Sequence, residues 1–564
     1  MFYYIKLLFS VIFSLILSLT NSFDANFINS IPAAKSEEQL QEMTDIFNKS
    51  SINEEILVIN TDNLTEEDIY AVVSLQGIVS RSNASIYIDK NASGTKKTAA
   101  DLEAMGYTVT YADENGEPWG YDSLLQRFAS EEYIADKGYI LYSSYSDLHQ
   151  LNMATNYASV YGWLPVPQSL ENLAAAYGLT KSKDLTYEDC SYSSQLEFYS
   201  THKNVFVKNC LIHQNNTTYG LRDLAIQQRI FVTYTTESDS LGISFRDILL
   251  RDLHKGSPVL GWCEREVEFV ETVTASGNFV IPSDHCINNS ILCSIESEPV
   301  TYNNPIDDIE LDPNKHYVVL MYSDGDNVQW VQNGYNEFYK WQELDTGVPV
   351  TWTFPPLMNE FSSIDANRVL SSADDDCFIC GPSGAGYTRM SKMFGSGLEA
   401  FTDLTAASML ESGMTTVTVL DTIYEDSVGE QAFINKLGYY SRYDNIRGGI
   451  LQLDPDRYSS GEGRIYFVDD KPFISVRLSL WHPDGEGATV TEDWLREQAD
   501  IINSYPADIT SVSGYSVINV NPWTVSVEDF AYFTTLLDED VEVITADELI
   551  CALGKYVPHE NAMP

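Results

Sequence analysis

Short apolar runs alternate with amphipathic stretches along the C-terminal half of the chain. The stretches between the runs, such as TEDWLREQADIINSYP, follow the 3.6-residue period of helices. Seven or eight strand–helix units in about 250 residues are what a barrel requires, so the pattern predicts a (β/α)7–8 barrel-like domain, with a doubly wound open sheet as the alternative. The predicted strands are 316–323, 348–354, 377–381, 415–421, 447–454, 473–481, 515–521 and 541–546.

The N-terminal half shows the same alternation in a less regular form. EEILVIN (54–60) precedes the helix-like TEEDIYAVVSLQGIVSRS, and the strand-like ASIYIDK, YTVTYAD and YILYSS follow. This pattern predicts an α/β module around a mainly parallel sheet. PVTYNNPIDDIELDPNK, with three prolines and several acids, is the best candidate linker. We therefore expect an N-terminal α/β region over 23–310 and the barrel-like domain over 311–564.

The first 22 residues have a different character. After MFYYIK comes LLFSVIFSLILSL, an uncharged run of thirteen residues. As a helix it would span roughly 20 Å, less than the ~30 Å apolar core of a bilayer. We therefore expect a signal peptide over 1–22 and a secreted mature protein with no stable membrane anchor. Asn-x-Ser/Thr sequons occur at Asn48, Asn63, Asn83, Asn91, Asn215, Asn216 and Asn288; in a eukaryotic secretory pathway they would mark glycosylated, solvated surface, and chance occurrence in an Asn-rich half is the alternative.

The 564-residue chain is strongly acidic, with a formal net charge of −49. Such a charge repels phosphate backbones and anionic membranes, so we expect no nucleic-acid partner. Its eight cysteines could pair in an oxidising compartment, but sequence does not fix their connectivity. Cys377-Phe-Ile-Cys380 lacks a second pair to complete a zinc site, and no Walker loop, H-E-x-x-H or G-x-S-x-G occurs. We expect no metal and no cofactor.

Residues just after the predicted barrel strands form the candidate site. In a barrel of parallel strands these positions face one shared pocket. They are carboxylates, amides and aromatic groups with a single imidazole, which suits a neutral polyhydroxylated ligand: acids and amides pair with hydroxyls, and aromatic faces cover a sugar ring. The candidate substrate-binding residues are Asn327, Ser383, Tyr387, Asp421, Trp481, His482, Asn521 and Trp523.

Three acids after the first two barrel strands are the candidates for chemistry. Close acids raise one another's pKa, so that one stays protonated as a general acid while its partner remains ionised. We predict Asp326 and Glu360 as the acid/base and nucleophile-or-base pair of a glycoside hydrolase, with Asp324 in a hydrogen-bonding or pKa-setting role. The Asp-Gly-Asp-Asn stretch also suits a plain turn and helix N-cap, which is the structural alternative.

Several segments resemble a known family. They are VLGWCEREVEFVETVTASGNFVIPSDHCINNS, MYSDGDNVQW, VTWTFPPLMNE and GPSGAGY. Together they resemble the GxGYxYP putative glycoside hydrolase family, which implies a family-specific N-terminal module, a motif-bearing domain and a secreted, carbohydrate-active protein. Gly384, Gly386 and Tyr387 match the naming motif, and its glycines would let the backbone approach a ligand or a neighbouring strand. Arg389 and Met390 stand where the family pattern has Tyr and Pro.

Two other function classes stay open on the sequence. Asp-x-Asp at the first strand end could seat a divalent ion in a metal-dependent, polysaccharide deacetylase-like hydrolase, although such sites usually use histidines and the barrel half offers few. The altered Arg389-Met390 pair is compatible with a non-catalytic glycan-binding or surface protein. A chelator tests the first class, and binding without turnover would identify the second.

Overall fold

A computed structural model describes residues 31–297, 300–302, 306–325, 327–333, 347–372, 375–423, 427–485 and 487–564. Its N-terminal strands are β1 (Ser51–Asn60), β2 (Asn83–Asp89), β3 (Thr108–Thr110), β4 (Gly138–Tyr142), β5 (Leu164–Pro167), β6 (Thr180–Asp184), β7 (Leu211–His213), β8 (Val232–Thr233), β9 (Pro258–Gly261) and β10 (Phe279–Ile281). They form three parallel sheets with the orders β2-β1-β3, β5-β4-β6 and β10-β9-β7-β8. We call these the β1–β3, β4–β6 and β7–β10 units.

Helices connect the strands of these units, as parallel pairing requires. The second helix shows how the sequence starts one: Thr65 and Asp68 form a capping box, and three acids occupy the first turn. The helices are α1 (Glu37–Gln41), α2 (Glu66–Val79), α3 (Ser93–Ala104), α4 (Tyr121–Phe128), α5 (Leu148–Tyr161), α6 (Glu171–Ala176), α7 (Tyr192–His202), α8 (Arg222–Gln228), α9 (Ser240–Asp252), α10 (Glu266–Ala275) and α11 (Asn289–Leu292).

The C-terminal strands form one large sheet. They are β11 (His316–Tyr322), β12 (Thr351–Phe354), β13 (Cys377–Cys380), β14 (Thr416–Thr422), β15 (Gly448–Asp454), β16 (Ile465–Val468), β17 (Lys471–Ser475), β18 (Leu478–Leu480), β19 (Tyr515–Val520) and β20 (Val541–Val543). Their order is β16-β17-β15-β14-β13-β12-β11-β19-β18, and β20 also pairs with β11. All seven residues of β11 are buried, as expected for a parallel strand covered on both faces.

One extended stretch joins the two ends of this strand order. β17 pairs with β15, and β18, which follows after two residues, pairs with β19. Between them the backbone N–H of Val476 donates to Leu451, and that of Arg477 donates to Val517, both at 2.9 Å. The sheet therefore curls into a barrel. Helices surround it: α12 (Val328–Asn333), α13 (Met358–Leu370), α14 (Gly395–Ser412), α15 (Ser427–Ser441), α16 (Glu492–Asn503), α17 (Val527–Thr534) and α18 (Ala546–Tyr556).

The predicted fold class, an α/β module followed by a barrel-like domain, is confirmed. The N-terminal strands differ from the prediction in forming three small sheets, because no pairing links the units into one. The antiparallel β16 was not predicted; it pairs with β17 across the two-residue turn Asp469-Asp470, where both aspartates have left-handed backbone.

The expected signal peptide, the sequons and the cysteines are the features of the chain that bear on export. The expected signal peptide lies outside the described residues, and no helix of the described part is long and apolar enough to cross a membrane. Asn288 is buried and its side chain donates to the Ile88 carbonyl at 2.8 Å, so this sequon is not on the surface as expected. All eight cysteines lie within the described ranges, and all are free thiols.

Candidate active site

A cavity of about 650 Å³ opens where parallel strands of three sheets end. Such a volume is in the range of small-molecule and sugar sites. Its barrel wall consists of Asp324, Asn327, Gln329, Trp330, Pro382, Tyr387, Leu420, Tyr458, Trp481, Asn521 and Trp523. The β7–β10 unit contributes Trp262, Glu266, Asp284 and His285, and the β1–β3 unit contributes Lys90 and Ala92. The site is therefore composite, with the barrel supplying its floor.

Asp324 lies two residues after the end of β11 and is held from two sides. Its backbone is left-handed, with φ of 66°, which aspartate tolerates better than most residues. Gly325 then passes so close to β12 that a Cβ would lie 1.6 Å from the Thr353 carbonyl oxygen. The Asp-Gly pair thus places the carboxyl group at the cavity surface, where Trp523 Nε1 donates to its Oδ2 at 2.5 Å.

The environment of Asp324 favours its protonated form. Burial raises the pKa of this carboxyl to about 6, against the opposing effect of the Trp523 hydrogen bond. The negative charge of Glu266 contributes to the same rise of the pKa. Asp324 is therefore a carboxyl group able to hold a proton in weakly acidic solution, beside a second acid that comes from another domain.

Glu266 is the first residue of α10, and Tyr387 fixes its position. The Tyr387 hydroxyl donates to Glu266 Oε1 at 2.6 Å, a short bond typical of a charged acceptor. Tyr387 itself is buried, and burial raises the pKa of its hydroxyl well above the ordinary range, so it remains a donor. Glu266 presents its carboxylate to the cavity with one oxygen already engaged.

The GPSGAGY segment joins the barrel to the β7–β10 unit. Val280 and Tyr387 form an antiparallel bridge, with N–H to carbonyl bonds of 3.0 and 2.8 Å. A Cβ on Gly386 would lie 2.5 Å from the Phe279 ring and 2.8 Å from the Val280 carbonyl oxygen, so only glycine allows this approach. The expected close approach to a neighbouring strand is what the motif provides here.

Aromatic residues line the cavity in pairs. Trp330 and Trp523 meet edge to face with centroids 4.3 Å apart, and Tyr458 and Trp481 do so at 5.4 Å. Trp262 stacks near Tyr387 at 6.3 Å. Trp330, although it belongs to α12, therefore forms part of the cavity wall. These faces suit the apolar side of a sugar ring.

Asn521 supplies an unused donor. Its side chain is fully buried and lines the cavity, and its Oδ1 accepts from the Thr524 hydroxyl at 3.2 Å. The Nδ2 group has no hydrogen-bond partner within the described protein. A buried, unpartnered amide is costly unless a ligand or water completes it, so Asn521 is suited to hold a ligand oxygen.

Four predicted site residues in the described part lie outside the cavity lining: Ser383, Asp421, His482 and Glu360. Ser383 donates to the Thr388 carbonyl and accepts from Leu420 N–H, and Asp421 accepts from Ser391, so both hold loops. His482 packs on Trp494 outside the cavity lining. Asp326 lies outside the described residues.

Glu360 is the most consequential of the four. It belongs to the first turn of α13, and its Oε2 accepts from the Ile46 backbone N–H at 2.8 Å. Burial raises its pKa to about 7, but its charged neighbours are Glu411, Asp45 and Lys49. The structure does not bring Glu360 into the cavity with Asp324, because the helix turns its carboxyl group towards the N-terminal segment.

Comparison with known proteins decides the family. Residues 314–553 match the family model described as "GxGYxYP putative glycoside hydrolase C-terminal domain", and residues 208–294 match "GxGYxYP third domain". The chain belongs to the GxGYxYP family. The match to the third domain covers the β7–β10 unit, which carries Glu266.

The GxGYxYP protein also has a solved structural relative. The crystal structure of a putative hydrolase from Bacteroides thetaiotaomicron VPI-5482 superposes with a TM-score of 0.81 at 22% sequence identity. The match covers 93% of this chain and 99% of that one, which shows a shared fold over nearly the whole molecule. No curated protein matches the chain significantly.

The two positions where this GxGYxYP chain departs from its motif are both buried. Arg389 forms an ion pair with Asp454 at 2.6 Å, and Met390 packs in the core. Neither lines the cavity. Among the residues placed in the structure, no three His, Cys, Asp or Glu side chains cluster as a metal ligand set.

Sequence reasoning missed Lys90, Trp262 and Glu266, which the N-terminal units contribute. Lys90 follows β2, Trp262 follows β9, and Glu266 comes four residues after Trp262. The rule that polar groups after parallel strands mark a site would have found them, had it been applied beyond the barrel.

Proposed function

We propose that this protein is a secreted glycoside hydrolase in which Asp324 and Glu266 are the two reacting carboxyl groups. The observation that carries the proposal is that both line one cavity, next to aromatic faces, with electrostatic coupling between them. Cleavage of a glycosidic bond between two carboxyl groups needs no metal.

The two environments support different roles. Asp324, with a pKa of about 6, can donate its proton to the leaving oxygen as general acid. Glu266, held by the Tyr387 hydroxyl, acts as nucleophile or as the base that activates water. Compared with the sequence-based assignment, Asp324 takes the acid role and Glu266 replaces Glu360 as its partner.

Sugar binding is assigned to groups around this pair. Trp262, Tyr458 and Trp481 offer ring faces, and the free Nδ2 of Asn521 offers a donor to a sugar hydroxyl. Because these groups come from the ends of separate strands, they can surround a ring from several directions.

The test is product release from a panel of natural glycans by the purified protein and its single variants. We expect Asp324→Asn and Glu266→Gln to lower the rate roughly 10²–10⁴-fold, the usual contribution of general acid–base groups. Glu360→Gln is the matched control and should stay within about threefold of the parent, because its carboxyl group lies outside the cavity. Thermal melts confirm that each variant is folded.

The other outcomes are equally informative. Loss of activity in Glu360→Gln with retention in Glu266→Gln would restore the sequence-based pair, and Asp326→Asn tests its remaining member. Binding of a glycan without any product would replace the hydrolase by a glycan-binding protein. If products form, the configuration of the new reducing end distinguishes retention from inversion.

A further inference from the structure

Lys90 places a positive charge in the wall of an otherwise acidic cavity. It follows β2, and its half-buried side chain lines the cavity together with Ala92. None of the carboxylates placed in the structure forms an ion pair with it, whereas His285, the other basic residue of the lining, lies 3.7 Å from Asp284. In a chain with 82 acids and 33 lysines and arginines, such an ammonium group stands out.

The desolvation of this ammonium group is not offset within the protein. Burial lowers the pKa of Lys90, and the opposing contribution comes from Cys286, whose own pKa is raised by burial so that it stays a neutral thiol, and not from a carboxylate. A buried charge is normally paired. An anion entering the cavity would supply the missing partner.

A helix begins next to Lys90, and its N-terminus adds to the positive electrostatic potential in this part of the cavity wall. α3 has twelve residues, its N-cap is Ala92, and no side chain caps its first N–H groups. Its first turn contains no acidic residue, and the carboxylate bonded to that turn is that of Asp89, which accepts from the Thr95 hydroxyl at 2.7 Å. An uncapped helix N-terminus carries partial positive charge and exposed N–H donors, which favours an anion.

A second, independent feature of the cavity points to a bound polar ligand. The Asn521 side chain is fully buried, lines the same cavity, and leaves its Nδ2 donor without a partner. Lys90, the N-cap residue Ala92 of α3, and Asn521 thus line one volume of about 650 Å³ from two different domains.

We infer that the glycan bound in this cavity carries an anionic substituent, a carboxylate or a sulfate, that is held by Lys90 and the start of α3. The inference rests on the proposed function for the glycan, but it concerns binding and not turnover. It also revises the expected neutral ligand, which was based on barrel strand ends alone and left out the β1–β3 unit.

The experiment measures equilibrium binding of monosaccharides that the enzyme cannot cleave. Glucuronate, glucose 6-sulfate and glucose share one ring and differ in the group at carbon 6, and the galactose series repeats the comparison. Titration calorimetry or ligand-observed NMR on the full mature chain gives each Kd. We expect at least one anionic sugar to bind about tenfold or more tightly than its neutral counterpart, and the carboxylate and sulfate probes identify which anion is preferred.

Three variants determine whether Lys90 is responsible. Lys90→Met should abolish the preference, Lys90→Arg should keep most of it, and Lys96→Met, which removes an exposed charge from the same helix, should leave it unchanged. The inference fails if no anionic sugar binds better than its neutral counterpart, or if the preference survives Lys90→Met. An anion preference in a protein that releases no product would support the inference and overturn the hydrolase.

Discussion

Trp523 and burial act in opposite directions on the proton of Asp324. The indole N–H stabilises the ionised carboxylate and so lowers its pKa, whereas burial raises it to about 6. Trp523→Phe removes the donor and should raise the pKa of Asp324 by about one unit. If Asp324 is the general acid proposed above, the pH at which kcat/KM falls on the alkaline side should move upward by the same amount, because a general acid reacts in its protonated form.

Carbon-13 NMR of the aspartate carboxyl groups measures the same pKa without a substrate. Trp330→Phe is the control, since it changes the other ring of the aromatic pair and keeps the indole donor of Trp523. An unchanged or lower pKa in Trp523→Phe would show that the hydrogen bond does not stabilise the carboxylate.

Individual residues also show where sequence reasoning stops. Asp324, Asn327 and Asn521 were predictable because each lies at the C-terminal end of a buried strand, where the barrel geometry leaves few alternatives. Glu360 follows β12 by six positions and falls in a helical turn, so its direction depends on helix phase. No local sequence pattern predicts that its carboxyl group accepts a hydrogen bond from the backbone N–H of Ile46.

At the scale of elements, the loop after β13 couples the barrel to the β7–β10 unit. Gly386→Ala would push a methyl group against Phe279 and Val280, and should break the bridge between Val280 and Tyr387. We expect a loss of stability of roughly 1–3 kcal/mol, the usual cost of overpacking a tight contact. Because Tyr387 positions Glu266, turnover should fall more than glycan binding.

Gly554→Ala is the control for this prediction. Gly554 lies inside α18, and a Cβ there would meet nothing within 4 Å. Replacing a helical glycine by alanine should stabilise the protein by roughly 0.5–1 kcal/mol. Denaturant unfolding measures both variants, and equal stability of Gly386→Ala and the parent would show that the loop adapts.

The strands were the most predictable elements. Each apolar run of the C-terminal half became a strand within a few residues of its expected position, because most of these strands are buried on both faces and therefore have continuous apolar sequence. The division of the N-terminal strands into three sheets was not predictable, since period and composition describe a strand but not its neighbour. For the same reason, the sequence did not show that β17 and β18 form one stretch that joins the two ends of the large sheet.

The whole molecule should be most stable in weakly acidic solution. Burial raises the pKa of several carboxyl groups, which therefore bind protons more tightly in the folded than in the unfolded chain: Asp223, Asp247, Glu360, Glu411, Asp421 and Asp547. Folded protein then holds more protons, so stability falls as the pH rises from about 4.5 to 7. The net charge of −49 adds self-repulsion at higher pH. We expect a higher Tm near pH 5 than at pH 8.

Glu360→Gln tests one contributor to this pH dependence. The pKa of Glu360 rises from 4.5 to about 7 on folding, which corresponds to a destabilisation on the order of 3 kcal/mol once the pH exceeds 7. The amide stays neutral and can still accept from Ile46, so the variant should be more stable than the parent at pH 8 and about equal at pH 4.5. Calorimetry of both proteins between pH 4.5 and pH 8 tests this prediction. A stability difference between the two proteins that stays the same at every pH would contradict the raised pKa of Glu360.

The composite wall of the cavity also imposes an order on its assembly. Lys90, Trp262 and Glu266 precede the barrel along the chain, whereas Asn521 and Trp523 follow its last long strand. The stretch formed by β17 and β18, which joins the two ends of the sheet, can pair with β19 only after β19 has been synthesised. During synthesis on the ribosome, the N-terminal units that form one side of the cavity emerge before the barrel. The cavity is therefore complete only when almost the entire chain has been synthesised.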